Sequence, residues 1–104
     1  MVNSEQVWIG LVGVTPEPKN TLLKRARGAY VNVLAWVASA SQYRTEVKRA
    51  VKQYDFKLEK IQDVEPLAQR LRNYKIPKKI LRLAEKVRKD KGIYFSEFYV
   101  YPNR

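Results

Sequence analysis

Lys75, Lys78, Lys79 and Arg82 bracket Pro77, and of all the residues in this chain they are the best suited to chemistry with an anion. Proline disfavours helical backbone at the residue before it, so a helix is predicted to begin at Pro77. Cations in the first turn of a helix oppose its dipole and cost a few tenths to about 1 kcal/mol each. Lys78 and Lys79 would occupy that turn, so they run against local stability. The N–H groups at a helix start already attract phosphate or carboxylate, and surrounding them with lysine and arginine strengthens that preference.

These four belong to a longer cationic run. Ten of the 21 lysines and arginines fall between Arg70 and Lys91, answered by Glu85 and Asp90, so this stretch carries +8 of the net charge of +11. The helix dipole divides them. Arg70 and Arg72 lie near the end of one predicted helix, and Lys86, Arg88, Lys89 and Lys91 near the end of the next, where positive charge is favourable. They need no partner. The spacing 75, 79, 82, 86 and 89 sets five cations on one stripe, opposite an apolar stripe of Ile80, Leu83 and Val87. A nucleic-acid backbone could lie along such a stripe; the alternative is a solvated face that keeps the protein soluble. A second basic group, Lys19, Lys24, Arg25 and Arg27, falls in a stretch from Thr15 to Gly28 without regular periodicity. It reads as a long basic loop at 15–28, a length that often serves function.

Catalysis finds little inventory. The chain has no histidine and no cysteine, which removes the usual base near neutral pH, the usual zinc ligands and the thiol nucleophile. Glu59, Asp63 and Glu65 are the nearest carboxylates in sequence, but Asp63 suits a helix N-cap and Glu65 a first-turn acid. Gly10-Leu11-Val12-Gly13 lies inside a predicted strand and lacks a following lysine, so it reads as close packing or a bulge rather than a phosphate loop. Ser39, Ser41 and Ser96 carry no elbow motif. The expectation is a non-enzyme with no cofactor and no metal.

The elements that position the cations follow from periodicity. Gln6 to Val14 alternates and ends at Thr15-Pro16-Glu17-Pro18, a strand. Ala29 to Val37 is apolar at almost every position, so a second strand is predicted to need cover on both faces. Tyr43, Val47, Ala50, Val51 and Tyr54 have helical spacing behind a capping box of Ser39 and Gln42. Tyr54 to Ile61 alternates again, Asp63 is read as the cap of a short helix through Tyr74, Pro77 opens the next, and Gly92 closes it. Gly92 to Tyr101 is aromatic and β-branched, a last strand.

The order ββαβααβ predicts an α+β two-layer sandwich, a four-stranded mixed sheet with helices on one face, ferredoxin-like or a variant of it. If strands two and three are neighbours, the crossover rule makes them parallel. The 104 residues suit one domain. With helices over Val31, Val33 and Ala35, the other face would expose Trp8, Tyr30, Leu34 and Trp36, with Tyr94 and Phe98. That set has three readings: a homodimer interface, which is preferred, a base-stacking platform, or the wall of a small-molecule pocket between sheet and loop. No apolar stretch reaches the roughly 20 residues of a membrane span and no signal-like start is present, so a cytoplasmic protein is expected.

The functional expectation is a small basic binding protein that contacts nucleic acid or another polyanion through Lys75, Lys78, Lys79, Arg82, Lys86 and the Lys24 to Arg27 group. The competing expectation is a homodimeric regulator or inhibitor of an acidic protein, its charge serving solubility.

Overall fold

The computed structural model describes residues 4–21 and 27–100. Eight elements follow one another: β1 (Gln6–Pro16), β2 (Ala29–Val37), α1 (Ala40–Gln53), β3 (Phe56–Pro66), α2 (Leu67–Asn73), α3 (Lys78–Asp90), β4 (Ile93–Phe95) and β5 (Tyr99–Val100). The sheet order is β3-β1-β2-β4, with β5 also on β2. The chain is α+β, a sheet of four principal strands with three helices, in the element order that periodicity predicts.

Three details of the sheet differ from expectation. Every pair is antiparallel, so the sheet is not mixed. β2 and β3 do run in the same direction, but β1 lies between them, and the α1 crossover spans that inserted strand. The last strand divides into β4 and β5 around residues 96–98, where Ser96 is tied to Asn32 by N–H donation to Asn32 O (2.9 Å) and by its Oγ accepting from Asn32 N (3.0 Å).

The helices also divide between the two faces of the sheet. α1 buries Tyr43, Val47 and Val51 against Val12, Val31, Val33 and Val37. α3 buries Ile80, Ala84 and Val87 on the opposite face, against Val7, Ile9 and Leu34, and α2 adds Leu67. Helices on one face alone would have left Leu34 in water; it is fully buried under α3. The almost unbroken apolar run of β2 has its explanation in this double cover, because successive residues of a strand point to opposite faces.

Gly10 is the tightest point of the α1 face. A Cβ at Gly10 would lie 2.7 Å from Tyr43 Oη, and that hydroxyl donates to Val33 O at 2.7 Å. Burial pushes the Tyr43 phenol well above its ordinary pKa, so it stays neutral as a donor. The β1–β3 register shifts between Ile9 and Leu11, so the glycine marks both close packing and a bulge.

Local signals account for most helix ends. Ser39 Oγ accepts from Gln42 N (3.1 Å) and Gln42 Oε1 accepts from Ala38 N (2.8 Å), a capping pair with its return bond one residue early. Asp63 is not a cap: it stays in β3 with φ 57° in the irregular stretch opposite Gly10, and α2 starts after Pro66. The α3 C-cap is Lys91 in the left-handed region (φ 58°), one residue before Gly92. The expected 15–28 loop begins later, because β1 continues to Pro16. Asn20 is buried there, its amide donating to Tyr54 O (2.9 Å) and Asp55 O (3.3 Å). No helix among the described residues is long and apolar enough to cross a membrane.

Candidate nucleic-acid interface

α3 starts at Lys78 as Pro77 dictates. Pro77 O accepts from Ile80 N (3.0 Å) and Leu81 N (3.2 Å), no side chain caps the helix, and its first turn holds no acid. Ile80, Ala84 and Val87 face the sheet and fix the rotation of the helix. Lys79, Arg82 and Lys86 then fall on the flank beside β5. They line a groove of about 340 Å³ whose far wall includes Glu97 and Tyr99. Lys78 and Arg82 meet over a shallower depression with Leu81 and Glu85.

The candidate cations differ in their partners. Lys79 Nζ is 2.6 Å from Glu97 Oε1. The hydrogen bond and charge of Glu97 raise the Lys79 pKa, and Lys79 in turn lowers that of Glu97. Lys78, Arg82 and Lys86 have no carboxylate within ion-pair distance among the described residues, and all three are exposed. Lys75 is exposed as well, but it precedes the helix in the 74–77 segment, so the helical stripe is 79, 82, 86 and 89 without it. Arg27 lies elsewhere, beside Lys60 and Tyr30 at a cavity of about 390 Å³. Lys24 and Arg25 fall outside the described residues.

Three of the six cations assigned to helix ends are occupied locally. Arg70 Nε pairs with Glu65 Oε2 at 2.6 Å, largely buried, and Arg70 Nη2 donates to Asp63 O at 2.5 Å. Arg88 pairs with Glu85 at 2.7 Å. Lys91 donates to Arg88 O at 2.6 Å and sits 4.3 Å from the centre of the Trp36 ring, which combines a helix-end cap with a cation–π contact.

The predicted aromatic face is not one surface. Trp8 and Phe98 pack with the α1 core, and Leu34, Trp36 and Tyr94 with the α3 core. The Tyr94 hydroxyl donates to the Asp90 carboxylate, which raises the Tyr94 pKa and ties β4 to the end of α3. Tyr30 alone of the six lies on the part of the second face beyond α3. Its ring covers Gly13, where a Cβ would be 3.1 Å from Tyr30 Cε1, and its strand partner across β2–β5 is Tyr99.

Tyr99 is 59% exposed and joins the α3 groove to Tyr30. Sequence reading did not single it out, nor Lys60 or Glu97. The neighbours of Tyr99 depend on strand order, a non-local property. No metal-competent group of acidic residues occurs among the described residues. No protein family matches the chain, and no curated protein or solved structure matches it either.

Proposed function

We propose that this is a small binding protein that takes up nucleic acid through the exposed flank of α3. One observation carries the reading. Lys78, Arg82 and Lys86 stand exposed along the flank of α3, around its groove and the adjoining depression, with no carboxylate partner among the described residues, while Arg70 and Arg88 are paired with Glu65 and Glu85. Positive charge that serves only solubility has no reason to collect at the first turn of a helix, where the dipole opposes it. A phosphate chain supplies the missing counter-charge at successive positions, each contact releasing bound counterions.

Fluorescence anisotropy with a labelled oligonucleotide tests this. Binding is expected at about 50 mM salt, weakening steeply as salt is raised. No binding of RNA or DNA at that salt would end the proposal.

A further inference from the structure

We infer that the nucleic acid is single-stranded and that one of its bases stacks on Tyr99. The inference rests on the nucleic-acid reading of the α3 flank and specifies what that site accepts.

The second face of the sheet is covered unevenly. α3 packs on Val7, Ile9, Leu34 and Trp36, near one end of β1 and β2. Toward the other end the same face presents Leu11, Gly13, Tyr30 and Asn32, pairing as Leu11 with Asn32 and Gly13 with Tyr30. These residues line cavities instead of a core. Tyr99 pairs with Tyr30, and paired residues of neighbouring strands point to the same face. Tyr99, 59% exposed, therefore stands beside the half-buried Tyr30 on this face.

Cations flank this pair on both sides. Lys79, Arg82 and Lys86 share the α3 groove with Tyr99, and Arg27 and Lys60 share the cavity beside Tyr30 with Glu59, whose carboxylate accepts from the Thr15 hydroxyl. Aromatic rings between two basic groups match a single strand, whose bases have free faces to stack while its phosphates follow the cations. A duplex buries those faces in its own stack and gains nothing from a tyrosine. Gly13 suits the arrangement, since a Cβ there would lie 3.1 Å from Tyr30 Cε1 and the ring would have to shift by a few tenths of an ångström.

The glutamate facing Lys79 fits the same picture. Glu97 lines the groove and holds Lys79 when the groove is empty. An incoming phosphate replaces the carboxylate at Lys79 without requiring the fold to move, because both side chains are exposed.

The experiment is an anisotropy titration of the full chain with a labelled 12-nucleotide single strand and with the matching duplex, using inorganic polyphosphate as competitor. The variants are Tyr99→Ala and Tyr99→Phe. The single strand is expected to bind about tenfold tighter than the duplex, and Tyr99→Ala to lose about tenfold on the single strand, the scale of one stacked base. Tyr99→Phe keeps the ring and should bind as wild type. Neither variant should change competition by polyphosphate, which has no bases. Equal or tighter binding of duplex, or wild-type binding by Tyr99→Ala, would overturn the inference while leaving the α3 reading standing. Failure of the wild type to bind strand, duplex and polyphosphate alike would overturn both. Circular dichroism of each variant confirms folding, and the exposure of Tyr99 makes that the expected result.

Discussion

Reversing the charge at Lys78 should make the protein more stable and a poorer binder at once. Lys78 is the first residue of α3, the first turn contains no acid, and no side chain caps the helix. Lys78→Glu removes a cation opposed to the dipole and supplies an anion that suits it, each worth about 0.3–1 kcal/mol at low salt. The new carboxylate also stands four residues before Arg82, an orientation worth about 0.3–0.5 kcal/mol. The sum is roughly 1–2 kcal/mol, which for a chain of this size raises Tm by about 4–8 °C per kcal/mol. Lys79 is the wrong residue for this test, because its bond to Glu97 (2.6 Å) would be lost and obscure the gain. Thermal unfolding followed by circular dichroism at about 20 mM and about 1 M salt reads the effect, the higher salt shrinking it as the screening length falls to about 3 Å. Loss of one phosphate contact should weaken single-strand binding about tenfold at about 50 mM salt. An unchanged or lower Tm at low salt would refute the dipole argument, and undiminished binding would refute the assignment of Lys78 to the interface.

Two other perturbations follow from the same geometry. Glu97→Gln removes the carboxylate that competes with phosphate for Lys79 and should tighten binding several-fold; unchanged affinity would mean that Lys79 does not meet the ligand. Because Lys79 holds the Glu97 carboxyl below its ordinary pKa, whatever the pair contributes to stability is present above that ordinary value and lost as pH falls through the lowered one, which carbon-detected NMR titration of Glu97 would show. In the core, Gly10→Ala sets a methyl 2.7 Å from Tyr43 Oη and should cost about 1–3 kcal/mol by overpacking. Adding Tyr43→Phe removes that oxygen, so the double variant should be less destabilised than the sum of the singles in guanidinium unfolding, and strict additivity would contradict the contact.

How far the sequence carried depends on whether a signal was local. Ser39 with Gln42 and the lone Pro77 specify helix starts through bonds within a few residues, and both starts are where those residues put them. The apolar run of β2 announced two covered faces, yet nothing in its alternation says which helix covers which. α3 took the face expected to stay open, because its stripe of Ile80, Ala84 and Val87 required burial as much as that of α1. Asp63 carried a cap signal that tertiary structure overrode: β3 pairs with β1 as far as Pro66, and the aspartate tolerates the left-handed backbone that the irregular stretch requires. Of the candidate site, the cations of α3 were legible from helical spacing. Tyr99 beside Tyr30, and Glu97 opposite Lys79, join residues 69 and 18 positions apart, and such pairings arise only when the sheet and helix are assembled.

The central claim is that the cations on the flank of α3 meet phosphates, and the salt dependence of single-strand binding measures it most directly. Lys78, Lys79, Arg82 and Lys86 are four contacts, Lys79 once phosphate has replaced Glu97, so the slope of log affinity against log salt should be about −2.8, a loss of roughly 50-fold between about 50 and 200 mM. Replacing Arg82 and Lys86 by glutamine leaves two contacts, a slope of about −1.4 and a loss of roughly sevenfold over the same range. Both side chains are exposed and unbonded to other groups of the described protein, so the fold should be unaffected. A doubly substituted protein that binds with the wild-type slope would contradict the account.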